Sequence, residues 1–172
     1  MGTKRVGWAR IKSLINENTN QMKLQKEQLV HVNNTATTLT ESQSGATIFW
    51  THGSNHAITL PDAYPGMNFK FIIVAGSSHT NDIDASTYDA ANGGFYGKVT
   101  VTKSEEHDQY PSTQTLAKGA AVNSIHCHTA TTTLGGTAGD VIDIVCLNRG
   151  YWTVNASLSC TGTPINTAVL AD

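Results

Sequence analysis

The chain has 172 residues, of which 14% are charged, a low share against the roughly 25% of average globular proteins. Its length suits one domain with its own core, and its content of Phe, Ile, Val and Trp excludes a disordered chain. The formal net charge is −2, and no stretch approaches the roughly 20 apolar residues that cross a bilayer, so we expect no membrane partner.

The small net charge hides an asymmetry along the chain. Residues 1–30 hold six basic and two acidic side chains, a net charge of +4, whereas residues 31–172 hold five basic and eleven acidic ones, a net charge of −6. Within the first segment, apolar side chains recur with helical spacing, among them Trp8, Ile11 and Ile15. The sequence therefore predicts an N-terminal α-helical arm. Because such a helix is marginal alone, we expect it to bind its own copies, another protein or the β body.

Short apolar runs follow the arm. Residues 31–40 are rich in Thr and Asn and predict a linker. Strands are predicted at Ala46–Trp50 and Ile58–Leu60, and a turn rich in Pro and Gly comes next. In Phe69–Val74 the side chains first alternate with the period of a half-buried strand. The last three residues of this run are apolar on both faces, which predicts a central position in the sheet.

The second half of the chain predicts further strands between polar segments. Residues 76–91 and 103–119 predict long loops, and the strand between them carries Phe95, Val99 and Val101 on one face. A later strand, within residues 121–133, is predicted to carry Ile125 and Cys127 on one side, with His126 and His128 on the other.

The strongest hairpin signal joins Val141–Leu147 to Tyr151–Val154 through the turn at 148–150. Six to eight short strands without helical crossovers predict a mainly β fold, an antiparallel β-sandwich or jelly roll over residues 41–162. Residues 163–172 predict a tail that packs along a neighbour.

The chain has seven histidines, which are common metal ligands. His126 and His128 are expected on the same face of a strand, about 7 Å apart, and could supply two nitrogens to one ion. Two ligands leave two of the usual four coordination positions of zinc unfilled. The aspartates Asp82, Asp84 and Asp89 are predicted to lie in a solvated loop, and they lack the EF-hand pattern. We expect neither a metal nor another cofactor.

The sequence lacks the common catalytic signatures, including G-x-S-x-G, H-E-x-x-H and the phosphate-binding loop. Cys127 lies between two histidines, but neighbours on a strand point to opposite faces, so they cannot form a nucleophile–base pair there. The acidic body also opposes nucleic-acid binding. We therefore expect neither an enzyme nor a nucleic-acid partner.

The three cysteines, Cys127, Cys146 and Cys160, are odd in number and lack metal-binding spacing. The N terminus is basic and amphipathic and lacks the apolar core of a signal peptide. We expect a protein made in a reducing cytoplasm with its thiols free.

Three stretches together resemble small virion structural proteins of tailed phages, particularly those of marine bacteria. They are M-G-T-K-R-V-G-W-A-R-I-K-S-L-I-N-E-N at the N terminus, I-T-L-P-D-A-Y-P-G-M-N-F-K-F-I-I-V at residues 58–74, and G-D-V-I-D-I-V-C-L-N-R-G-Y-W-T-V at residues 139–154. They cover about 50 of the 172 residues, and the first stretch is the most specific. The polar segment at residues 103–119 departs from the pattern.

The resemblance implies a non-enzymatic capsid component, commonly a homotrimer, that is made in the host cytoplasm and lies on the outer surface of the virion. A head decoration or cement protein would bind the major capsid protein through the arm. The residues expected to make this contact are Arg5, Trp8, Arg10, Ile11, Lys12, Leu14 and Ile15.

Two other functions remain open at this point. One is a tail fibre, knob or receptor-binding module that contacts the host surface. The other is a hydrolase of cell-wall polysaccharide, in which Glu105 or Asp108 would act.

Overall fold

The computed structural model describes residues 10–13, 29–33, 35–51, 55–75, 80–86, 93–103, 112–116, 122–128, 134–161 and 170–171. These residues form twelve β-strands and a short 3₁₀ helix, Glu41–Gln43. The strands are β1 Leu29–Asn33, β2 Thr37–Thr38, β3 Thr47–Thr51, β4 His56–Thr59, β5 Asn68–Ala75, β6 Thr80–Asp84, β7 Gly94–Lys103, β8 Ser112–Leu116, β9 Ser124–His128, β10 Val141–Asn148, β11 Tyr151–Cys160 and β12 Leu170–Ala171.

The strands form two sheets. The seven-stranded sheet has the order β1-β3-β5-β10-β11-β7-β8, and the five-stranded sheet has the order β12-β9-β6-β4-β2. Over the first six strands the chain alternates between the sheets, so that β1, β3 and β5 run parallel in one while β2, β4 and β6 run parallel in the other. The fold is mainly β, as predicted, but the sheets are mixed, which corrects the prediction of an antiparallel fold.

The reason for this correction lies in the connections. Two parallel neighbouring strands cannot be joined by a tight turn and need a crossover connection. In the first half of this chain, each such connection includes a strand of the other sheet. Strands that are adjacent in sequence there lie in different sheets. Local hairpin signals therefore do not report their pairing.

Several individual elements agree with the sequence. The predicted strand at residues 69–74 lies within β5, between β3 and β10 in the middle of its sheet. The predicted hairpin is formed by β10 and β11, which pair antiparallel. Of the predicted helical arm at residues 1–30, residues 10–13 are helical, whereas Leu29 and Val30 belong to β1, which corrects the predicted end of the arm. Residues 1–9 and 14–28 lie outside the described residues.

Two predicted loops contain strands. β6 lies within residues 76–91, and β8 lies within residues 103–119. Both predictions are wrong for the same reason, since the polar side chains suggested exposed loops. β6 carries aspartates on the face that points away from the core, and β8 is an edge strand. The segment at 31–40, predicted as a linker, likewise includes β2 and the last three residues of β1.

Side chains from both sheets belong to one hydrophobic core. The largest fully buried members include two tryptophans, Trp50 and Trp152. Trp152 packs against Phe69 with 5.8 Å between ring centroids. The Trp50 indole Nε1 donates a hydrogen bond of 2.8 Å to His56 Nε2, and this bond links β3 of the larger sheet to β4 of the smaller one.

A buried carboxylate fixes the start of β10. Asp140 is only 5% exposed. Its Oδ2 accepts backbone N–H bonds from Gly136 and Thr137 at 2.8 and 2.9 Å. Its Oδ1 accepts the Ser159 hydroxyl at 2.6 Å and the Ser159 backbone N–H at 2.9 Å. The backbone carbonyl of Asp140 also accepts a bond of 3.0 Å from Ile73 N–H. One residue thereby joins the loop before β10 to β5 and to the end of β11.

We predict that Asp140→Asn lowers the free energy of unfolding by about 3 kcal/mol, because an amide nitrogen then faces buried donors that the carboxylate satisfied. Urea denaturation followed by tryptophan fluorescence measures the change. The exposed Glu41→Gln serves as the matched control, with an expected change within about 0.5 kcal/mol. Equal stability of the two variants would contradict the structural role assigned to Asp140.

Candidate functional site

Three of the predicted arm residues lie within the described turn at residues 10–13. Arg10, Ile11 and Lys12 are all exposed, and Ile11 exposes 49% of its surface. An aliphatic side chain between two cations is thus open to solvent. The remaining predicted contacts, namely Arg5, Trp8, Leu14 and Ile15, lie outside the described residues.

The most closely coupled titratable groups lie on the five-stranded sheet. Asp82 on β6 is the register partner of His126 on β9. Their side chains point away from the core, and His126 Nδ1 lies 2.6 Å from Asp82 Oδ1. Two register positions away, the Ser124 hydroxyl donates a bond of 2.6 Å to Asp84 Oδ1. The outer face of this sheet therefore presents two carboxylates and one imidazole side by side.

This environment favours the charged imidazole. The hydrogen bond with Asp82 raises the pKa of His126, partial burial opposes the shift, and the negative charges of Asp82 and Asp84 raise the pKa further. A raised folded-state pKa means that the pair stabilises the fold fully below the unfolded histidine value of about 6.5. That contribution is lost as the pH rises through the folded-state pKa.

The predicted metal candidates are only partly brought together. His126 Nδ1 is engaged by Asp82, and His128 occupies the register position opposite Thr80, two positions from that pair. Within the part of the chain that the structure describes, no group of three or more His, Cys, Asp or Glu side chains could hold a metal ion. Asp82 and Asp84 lie on a strand rather than in the predicted loop, and Asp89 lies outside the described residues.

Cys127 points into the core, opposite to His126, as the alternation of the strand predicted. Burial raises the pKa of its thiol, and the nearby charges of Asp140 and Asp82 raise it further. Cys127, Cys146 and Cys160 are all buried, and none of the three is in a disulfide. The Ser124 hydroxyl hydrogen is engaged by Asp84.

Sequence reasoning missed a cluster where two turns meet at one end of the larger sheet. The Arg149 guanidinium lies over the Tyr64 ring, 5.1 Å from its centroid. Gly150 N–H donates a bond of 3.1 Å to the Ala63 carbonyl. A Cβ at Gly93 would lie 1.5 Å from the Gly150 carbonyl oxygen, so only glycine permits this approach. Pro61, Pro65 and Gly150 signalled two turns, but nothing local signalled that they meet.

We refer to Tyr64, Leu147 and Arg149 as the tip. Tyr64 is 38% exposed and Leu147 is 62% exposed. Arginine and tyrosine are enriched at the centres of protein interfaces, and a rigid scaffold lowers the entropy cost of binding. The tip can therefore serve as a contact surface.

No described helix is both long enough and apolar enough to cross a membrane.

We predict that the free energy of unfolding decreases as the pH rises from about 6 to about 8, because the protonated His126 loses its charge over that range. Asp82→Asn weakens this dependence and lowers the titration midpoint of His126 in NMR. Asp84→Asn, which removes only a charge and not the direct bond to His126, gives a smaller effect. A wild-type midpoint at or below about 6.5 would refute the assignment.

Comparisons with known proteins leave the family of this chain open. No family model, no curated protein and no solved structure matches it.

Proposed function

We propose that this protein is a capsid decoration or cement protein that stabilises an assembled phage head by bridging major capsid proteins on its outer surface. A ligand that binds only the assembled lattice stabilises the lattice by mass action. This mechanism needs neither catalysis nor a cofactor. In the proposed arrangement the β body is a two-layer sandwich, and three copies assemble at a symmetry point of the shell.

One observation carries the proposal. Ile11 is exposed between Arg10 and Lys12 on a helical turn, and the segment that contains it precedes β1, an edge strand of the seven-stranded sheet. A basic, amphipathic segment that precedes an edge strand suits a protein whose arm reaches a neighbouring molecule.

The chemistry of the arm suits an acidic protein surface. Arg10 and Lys12 would supply charge complementarity, which raises the association rate and sets the orientation. Ile11 would supply a desolvated apolar contact, the type of group that dominates interface energies. In the proposal, the residues of the arm that complete this contact are Arg5, Trp8, Leu14 and Ile15.

We predict that Ile11→Glu weakens binding to empty phage heads by at least about tenfold, because it removes an apolar anchor and lowers the local positive charge. Co-sedimentation of purified protein with heads measures the affinity. Thr38→Glu, which adds the same charge at an exposed position of the body, should bind like the wild type. A wild-type protein that does not bind heads, or an Ile11→Glu variant with unchanged affinity, would exclude the proposal.

A tail fibre, knob or receptor-binding module is a second candidate, which the tip favours. Arg149 lies over the Tyr64 ring, and both side chains are exposed, and a surface of this kind suits contact with a host receptor. We predict that, in this case, the labelled protein binds whole host cells and Arg149→Ala reduces the bound fraction several-fold. Lys98→Ala, an exposed cation on β7, is the control. Absence of cell binding by the wild type would exclude this candidate.

A further inference from the structure

The larger sheet exposes apolar side chains on the face opposite the core. In β5 and β10, which are adjacent central strands, the residues that point away from the core include five aliphatic ones. We call these the outer apolar face: Ile72, Val74, Val141, Val145 and Leu147. Val74 is 48% exposed and Val145 is 37% exposed. Ile72 and Val141 are register partners and are half-buried.

The sequences of these strands are typical of strands covered on both sides. β10 reads VIDIVCLN, with aliphatic residues at most positions of both faces, and β5 ends in a similar run. Antiparallel sheets that face water usually alternate apolar and polar residues, whereas strands buried on both faces form continuous apolar runs. Exposed apolar patches of this kind mark interaction sites. Something is therefore expected to cover the outer apolar face.

The charges within this face point to a second copy of the chain as the cover. Lys70 and Asp143 are register partners on the same two strands, and both point outward among the aliphatic residues. A partner surface of one sign would place a like charge against one of them, which is costly. A second copy supplies both signs, so that Lys70 of each molecule can lie against Asp143 of its neighbour.

The size of the larger sheet also suits a contact between copies that is centred on the outer apolar face. Its seven strands are five to ten residues long, so at about 4.8 Å between strands and about 3.3 Å per residue its outer surface measures roughly 500–950 Å². A standard protein interface buries about 800 Å² on each partner. Facing sheets pack about 10 Å apart with interdigitated side chains. The aliphatic residues of two outer apolar faces can interdigitate in this way.

We propose that copies of this chain associate through the outer apolar face, with Lys70 of one copy against Asp143 of the next. The pairing satisfies both charges around a two-fold or a three-fold axis, and the three-fold arrangement is the homotrimer proposed above. The inference rests on that proposed self-assembly but is independent of capsid binding.

Sedimentation equilibrium of the full chain over a wide concentration range tests the contact. The wild type is expected to show a mass that is a multiple of the 18.3 kDa chain. Val74→Asp and Lys70→Asp should each weaken association at least about tenfold. Thr38→Asp introduces an acidic side chain at an exposed position of the five-stranded sheet, outside the proposed contact, and should associate like the wild type. Circular dichroism and thermal melts verify that the variants are folded.

A double charge swap separates contacts between copies from contacts within one copy. Lys70→Asp combined with Asp143→Lys keeps the pair within each chain, and this variant should self-associate like the wild type. Mixed with a tagged wild type, it should sort into separate assemblies, because every contact between unlike copies would place like charges together. Native mass spectrometry counts the mixed species.

Three outcomes would overturn the inference. The first is a wild type that is monomeric at all concentrations, which would also remove the proposed homotrimer. The second is unaltered association of Val74→Asp and Lys70→Asp, which would leave the homotrimer intact and reject only this face as its contact. The third is free mixing of the swapped variant with the wild type. In each case, binding of heads by the wild type would leave the capsid-binding part of the proposal standing.

Discussion

The carboxylate of Asp140 is the interaction on which the geometry of the larger sheet depends. A buried charge is tolerated only when its hydrogen bonds are satisfied, and here the donors come from the loop at Gly136 and Thr137 and from Ser159 near the end of β11. This arrangement sets where β10 begins relative to β11. β10 in turn pairs with β5, so the position of one carboxylate helps to set the register of three central strands.

That register places the features that bear on function. It sets Lys70 beside Asp143 on the outer face. At the opposite end of β10, it brings Gly150 against Ala63 and so positions Arg149 over Tyr64. The backbone bonds between Cys146 and the turn before β5 lock the same end, with Gly66 N–H donating to the Cys146 carbonyl at 2.9 Å. A change at Asp140 is therefore expected to disturb surfaces on which it does not itself lie.

The parts of the fold that could be predicted are those marked by a local sequence pattern. The residues of β5 alternate, and β10 and β11 are joined by a short Asn-Arg-Gly turn, so the sequence alone located these elements. The parallel pairing of β1, β3 and β5 was not predictable, because each partner lies beyond a strand of the other sheet. β6 was missed because Asp82 and Asp84, on its outward face, resemble loop residues.

The same distinction applies to the candidate sites. The orientation of His126, away from the core and opposite to Cys127, follows from the alternation of a strand and was predicted. Its partner Asp82 is 44 residues away in sequence, and only the tertiary register of β6 and β9 brings the two together. The Gly139-Asp140 pair could be recognised in the sequence before β10, but the structural role of Asp140 depends on its hydrogen bonds with Ser159 in another strand. Long-range pairings of this kind leave no periodic signal in the sequence.

Association of copies through a sheet face bears on how an arm of low affinity could bind a partner. A short amphipathic helix is marginal in isolation, and one aliphatic residue between two cations supplies limited affinity. If copies associate through the outer apolar face, each assembly carries several arms at a fixed separation. Linked binding sites act at a high effective concentration, and their combined affinity exceeds that of one site by orders of magnitude. Self-association through the outer apolar face would thus make the combined contacts of the arms strong enough to hold a repeating lattice.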